Sequence, residues 1–276
     1  MTVEGLKVFI LGLVQGLTEF LPVSSSGHLV LMQHAFGMTA PELLLDICLH
    51  VGTLAAVCAV FYKEILHLAT VLFGLSGRIR KAGGIRALFD KHRDFRMLVL
   101  IGFGSLPTAA LGLIFRTHSD ALFGTTRVAG IMLLVTGVLL FLTRRRSGPG
   151  RPIEAMGIRD ALLIGLAQGM AVLPGLSRSG ATISAALFLG IKRETAGPFS
   201  FLLSLPAILG ALLLEMRSAL TPSPVSVKML LAGAATAAVV GFFSLKLLLR
   251  FVNQGRLSMF APYCWVLGIA ALFFSL

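Results

Sequence analysis

The sequence predicts an all-α integral membrane protein: six transmembrane helices plus two re-entrant helical hairpins, arranged as an inverted-topology repeat. Three observations predict it. Of 276 residues, 56% are hydrophobic and 13% charged, against about 25% charged in a soluble domain, and the mean hydropathy is +0.91. Apolar runs of about 20 residues, the length that crosses a hydrocarbon core of roughly 30 Å, recur along the chain. Two further segments are interrupted by proline, glycine and serine, which leaves apolar arms generally too short to span.

In chain order, residues 5–21 and 27–38 are the arms of the first hairpin, around the break Pro22-Val-Ser-Ser-Ser-Gly27. Spans follow at about 41–62, 97–115 and 127–143, with a basic loop over 63–96. After the basic loop 144–159, residues 160–173 and 181–191 are the arms of the second hairpin, around Pro174-Gly-Leu-Ser-Arg-Ser-Gly180. The remaining spans are about 198–216, 229–249 and 257–275. Non-helical backbone at the two breaks is tolerated in a membrane only where protein or a wet cavity satisfies it.

The two hairpins resemble each other. Gln15-Gly16-Leu17 matches Gln168-Gly169-Met170, and Leu21-Pro22 matches Leu173-Pro174 after a one-residue slip. Ser24-Ser25-Ser26-Gly27 then matches Ser177-Arg178-Ser179-Gly180, and Leu49–Leu54 matches Leu203–Ile208. The chain thus reads as one membrane domain over 1–276, with repeats of about 1–143 and 158–276; loop 74–96 is the main insertion. Loops 63–96 and 144–159 carry eight and five Lys/Arg, against two each near 116–127 and 217–228. The positive-inside rule places the first pair in the cytoplasm and both termini outside. Three spans per repeat, an odd number, inverts the second copy, an architecture that puts a site at the midplane.

The net charge of +12 and a pI near 10.6 suggest a nucleic-acid binder until the basic residues are located. They fall in loops between apolar runs, as topology signals and contacts for anionic lipid. Cys48, Cys58 and Cys264 lie within apolar runs and match no metal-ligand spacing or disulfide framework. With Lys7 the one basic residue at the N-terminus and no small-residue cleavage site after the first apolar stretch, no cleaved signal peptide is expected.

Chemistry concentrates at the breaks. Glu19 lies in an apolar arm with no basic residue near it in sequence, so it calls for a partner or a wet cavity. It reads as a cation ligand or general base. Gln15, one turn earlier on the same face, can orient a water or phosphate but cannot act as a base. His28 beside Ser24, Ser25 and Ser26 is a candidate proton-transfer group or nucleophile. His50, within an apolar span, is read as structural or as acting on the site through a neighbour. Arg178 stands at the far tip of the second hairpin, where a guanidinium fork suits phosphate oxygens. Ser177, Ser179 and Thr182 add hydroxyls, and the helix N-termini after each break add positive ends. Any one of these serines reads equally well as a plain helix cap; the set does not. Together the groups suit a diphosphate ester and a divalent cation held by Glu19, with Ser25, Ser26, His28 or a water as the nucleophile.

At these residues the chain resembles the undecaprenyl-diphosphatase family, integral membrane phosphatases of the bacitracin-resistance type. The match lies in Gln15-Gly-Leu-Thr-Glu-Phe-Leu-Pro-Val-Ser-Ser-Ser-Gly-His28 and Pro174-Gly-Leu-Ser-Arg-Ser-Gly-Ala-Thr182, both long, ordered and correctly spaced. Gln15 stands where some members carry Glu, and Ser26 where others carry Thr. The resemblance implies hydrolysis of undecaprenyl diphosphate to the monophosphate and inorganic phosphate, recycling the lipid carrier of peptidoglycan precursors. It implies dependence on Mg²⁺ or Ca²⁺, Glu19, Ser25, His28 and Arg178 as central residues, and protection against bacitracin. It also implies a bacterial cytoplasmic (inner) membrane location with the site facing the extracytoplasmic side. The expected partners are the polyprenyl diphosphate substrate and bilayer lipids, not nucleic acid, with a homodimer allowed for.

Two rivals are weighed. A lipid-phosphate flippase would share the inverted repeat and midplane anion site, but carrying a phosphate needs no general base. A non-catalytic interaction protein docking through loop 74–96 leaves Glu19 and Arg178 without a purpose.

Overall fold

The structure, a computed structural model, describes residues 3–37, 43–116, 126–146, 148–215 and 225–273. The loops weighed above near 116–127 and 217–228 lie outside them over 117–125 and 217–224. Among the described residues every regular element is helical, apart from one isolated bridge between Arg151 and Ile191.

The first hairpin is α1 (Val3–Thr18) and α2 (Ser25–Ala35). The span expected at 41–62 is α3 (Leu43–Val60), as far as it is described. At Phe61 the chain turns by 82° into α4 (Tyr62–Phe73). Here the expectation of a loop over 63–96 is corrected. The stretch folds as α4, α5 (Leu75–Ala82) and α6 (Ile85–Lys91). Val71, Leu88 and Phe95 are buried together there, with Leu75 and Ile79 against them, so the segment makes a small core of its own; its basic side chains face outward except Arg96, which is buried and donates to the Met156 carbonyl at 2.9 Å.

The later spans are α7 (Arg93–Arg116) and α8 (Thr126–Leu142), followed by the second hairpin, α9 (Ile158–Met170) and α10 (Arg178–Phe188). Then come α11 (Arg193–Glu215), α12 (Val227–Asn253) and α13 (Ala261–Phe273). Among the described residues four helices, α7, α8, α11 and α12, are long and apolar enough to cross a membrane, and a fifth span results if α3 and α4 are taken as one bent span. The segment expected at 257–275 is a shorter apolar helix over Leu257–Phe273. The chain is a multi-pass membrane protein.

Packing follows small residues, as it must where lipid gives helices no hydrophobic drive to associate. α1 lies against α12, and α9 lies against α7. A Cβ added at Gly16 would stand 2.9 Å from the Ala237 carbonyl oxygen of α12, and one added at Gly169 would stand 3.1 Å from the Pro107 carbonyl oxygen of α7. α3 packs on α12, α11 on α7, and α8 on α13. At the mouth of the second hairpin, away from its break, Arg151 grips both carboxylate oxygens of Asp160, at 3.1 and 2.8 Å. Burial alone would raise that carboxyl, but the Arg151 guanidinium and the Gly157 N–H outweigh it and hold it below the usual carboxylate range.

Candidate active site

Each break ends the same way, with a serine that caps the arm after it. Ser24 Oγ accepts from the Gly27 N–H at 3.4 Å, and Ser177 Oγ accepts from the Gly180 N–H at 3.1 Å. A second serine pairs with each cap: Ser26 with Ser24 at 3.3 Å, and Ser179 with Ser177 at 3.2 Å. The residue between them is the first of its helix, Ser25 in α2 and Arg178 in α10. Both side chains reach the same carboxylate.

That carboxylate is Glu19, 8% exposed. Its Oε1 accepts from Arg178 Nη2. Its Oε2 accepts from Ser25 Oγ at 2.6 Å and from Gln15 Nε2 at 3.1 Å. His50 Nε2 stands 3.9 Å from the same oxygen. Two polar atoms beside the centre are buried without a partner: Arg178 Nη1 and Gln15 Oε1. The breaks themselves touch, since a Cβ added at Gly180 would lie 3.3 Å from Pro22 Cβ. The N-termini of α2 and α10 therefore open onto one place, where an anion would meet two helix ends.

The structure thus brings Gln15, Glu19, Ser25 and Arg178 together as the sequence suggested. Ser24, Ser26, Ser177 and Ser179 line the break as caps and cap partners, their hydroxyls engaged with one another and with backbone. Thr182 is not brought to the centre. Its hydroxyl donates to the Arg178 carbonyl at 2.8 Å and pairs with Ser200 of α11, in a fully buried position. His28 hydrogen-bonds elsewhere than Glu19 and Arg178; its Nδ1 bonds the Ser24 carbonyl oxygen at 2.8 Å and its Nε2 bonds Tyr263 Oη at 2.6 Å.

Beside His50, which the sequence singled out as structural or as acting through a neighbour, two contributors, Thr136 and Tyr263, carry no sequence signal that would have found them. His50 faces Glu19 although its neighbours in sequence are apolar. Thr136 of α8 donates to the Gly175 carbonyl at 3.0 Å and accepts from the Ser177 N–H at 3.1 Å, so it holds the second break from another helix. Tyr263 reaches His28 across 235 positions of sequence. Only His50 offered a hint, as an ionisable group within an apolar span.

Among the described residues no group of three His, Cys, Asp or Glu could hold a metal unaided. A hard divalent cation takes oxygen ligands, often one or two carboxylates with substrate phosphates. Glu19 and the unpartnered Oε1 of Gln15 form such a donor set, so the residues fit a cation that arrives with a diphosphate.

Fold and site define a class: a multi-pass membrane protein with a carboxylate, a hydroxyl and a guanidinium joined where two helix breaks meet. The model of the family described as Bacitracin resistance protein BacA matches residues 8–270, and the chain belongs to that family. It is 49% identical to the undecaprenyl-diphosphatase of Desulfatibacillum aliphaticivorans over 97% of both chains. It is 50% identical to that of Desulfosudis oleivorans over 96% of each, and 47% identical to that of Desulforapulum autotrophicum over 95% of each.

Proposed function

We propose that this chain hydrolyses undecaprenyl diphosphate to undecaprenyl phosphate and inorganic phosphate, so recycling a lipid carrier of the bacterial cell envelope and protecting against bacitracin. The observation that carries the site assignment is Glu19 joined to Ser25 on one oxygen and to Arg178 on the other. A hydroxyl donating to a buried carboxylate is a nucleophile beside its base. Ser25 Oγ attacks the terminal phosphorus, its proton passes to Glu19, and the undecaprenyl phosphate leaves. Water then cleaves the seryl phosphate and releases inorganic phosphate. Arg178 presents Nη1 to the phosphate oxygens, and the ends of α2 and α10 oppose the charge that develops. Mg²⁺ or Ca²⁺, held by Glu19 and Gln15 Oε1, would neutralise the diphosphate oxygens. A transporter would have no use for a hydroxyl bonded to a base.

In this reading the fold has six spans, α3, α7, α8, α11, α12 and α13, in two inverted repeats. Support comes from the packing. Exchanging each element of the first half for its counterpart turns the α1–α12 contact into α9–α7, turns α3–α12 into α11–α7, and returns α8–α13 to itself. The protein would sit in the cytoplasmic membrane with the site open to the extracytoplasmic side.

The test is phosphate release from undecaprenyl diphosphate by the purified protein, with and without EDTA, alongside Ser25→Ala. Release that EDTA stops, and that Ser25→Ala lowers by at least about 100-fold, as loss of a nucleophile does, is expected. Release unaffected by Ser25→Ala would remove Ser25 as nucleophile, and none from a folded parent would reject the reaction.

A further inference from the structure

The first break is held by a helix from the far end of the chain. Cys264 Sγ–H donates to the Pro22 carbonyl at 3.3 Å, before the serines. The adjacent Tyr263 meets His28, just after them. α13 thus fastens both sides of the break, as Thr136 of α8 fastens the second break at Gly175 and Ser177.

The contact at His28 is specific. The Ser24 carbonyl can only accept, so the Nδ1 that bonds it at 2.8 Å carries the proton. In the neutral ring Nε2 then holds the lone pair, and Tyr263 Oη–H donates to it at 2.6 Å. The two rings lie nearly parallel, at 5° with centroids 5.8 Å apart. Tyr263 itself is 49% exposed, so the packed core does not depend on its hydroxyl.

We propose that Tyr263 is a positioning residue for His28, fixing one tautomer and one ring plane through Nε2 while the Ser24 carbonyl fixes Nδ1. The partner of one imidazole nitrogen sets what the other can do. The proposal rests on the hydrolase reading above, with His28 serving it as a proton-transfer group. It makes His28 a group whose geometry is set before substrate arrives, by a residue outside both sequence motifs. Ser24 supplies the other half of this hold from a left-handed backbone, at φ +70°.

Tyr263→Phe tests it, because the ring stays and only the hydroxyl is lost. In the full-length protein in detergent we expect kcat to fall about 3- to 10-fold, the size of one hydrogen bond, with KM unchanged. In a His28→Ala background the same substitution should have no further effect. In protein labelled with ¹⁵N-histidine, the His28 Nε2 signal, assigned by its loss in His28→Ala, should move in Tyr263→Phe. Parental kcat in Tyr263→Phe, full multiplication of the two losses, a His28→Ala protein at parental rate, or an unmoved nitrogen signal would each overturn the proposal. Absence of phosphate release from the folded parent would instead reject the hydrolase reading, and the nitrogen signal, which needs no turnover, would still decide whether Tyr263 holds His28.

Discussion

The two breaks are the same device used for different work. In both, a capping serine, a central residue, a second serine and a glycine begin a helix, and in both the central side chain reaches Glu19. The first break puts Ser25 at that position and the second puts Arg178. One contributes a hydroxyl to be activated, the other a charge to hold an anion. The carboxylate they share has no counterpart in the second hairpin, where Val172 stands at the matching distance from Gln168. The glutamines diverge too. Gln15 donates to Glu19, whereas Gln168 donates to Thr108 Oγ1 at 3.2 Å and to the Leu203 carbonyl at 3.3 Å, and so ties α9 to α7 and α11. Two breaks capped alike, differing at single residues, make one site between them.

The sharpest way to break this comparison is to remove its shared contact. Glu19→Ala and Arg178→Ala should each abolish measurable phosphate release. Each also leaves a buried charge unpaired, which costs about 3–5 kcal/mol and should appear in thermal unfolding. The double variant Glu19→Ala/Arg178→Ala should recover much of that stability and none of the activity. If either single variant kept parental turnover, the two breaks would not be one site.

A smaller effect separates the glutamines. Gln15→Ala should lower turnover, but less than Glu19→Ala, with little change in melting temperature. Gln168→Ala should do the reverse and cost about 1–3 kcal/mol, since two buried hydrogen bonds between helices are lost. Equal activity losses at the two positions would mean that the second hairpin enters the chemistry through more than Arg178.

The smallest effect concerns backbone strain. Ser24 holds φ +70°, a conformation that costs a non-glycine residue about 1–3 kcal/mol. The second break gives its left-handed position to Gly175, at φ +89°, and lets Ser177 cap from ordinary extended backbone at φ −67°. Ser24→Gly should therefore raise stability by up to about 1 kcal/mol, since glycine loses little as a cap, whereas Ser177→Gly should lower it by a few tenths. Denaturation of the two variants in the same detergent reads the sign directly.

Much of the site was legible because it is local. Proline and glycine interrupt apolar arms, and serines at the interruptions announce helix starts. A carboxylate and a guanidinium within hydrocarbon announce a partner, since neither tolerates isolation there. That is why Glu19, Ser25 and Arg178 stood out. The same reasoning overreached at Thr182, whose place on the face of α10 turns it toward Ser200. It read His50 as structural or as acting through a neighbour, and the fold sets its Nε2 3.9 Å from Glu19, although nothing near it in sequence says that α3 passes the end of α1. It also read the 63–96 stretch as a loop from its charges, where Val71, Leu88 and Phe95 gather enough apolar surface to fold it.

By itself, then, the sequence determined that the chain lives in a membrane, that two broken hairpins interrupt its spans, and which ionisable groups must find partners there. Those outcomes follow from transfer energies and backbone restrictions that act residue by residue. Only the tertiary structure decided which partner each group found: Ser25 and Arg178 on opposite oxygens of Glu19, Thr136 on the second break, and Tyr263 on His28. A hydrogen bond spanning 235 positions depends on where two helices lie relative to each other, and helix placement is set by packing summed over the whole molecule.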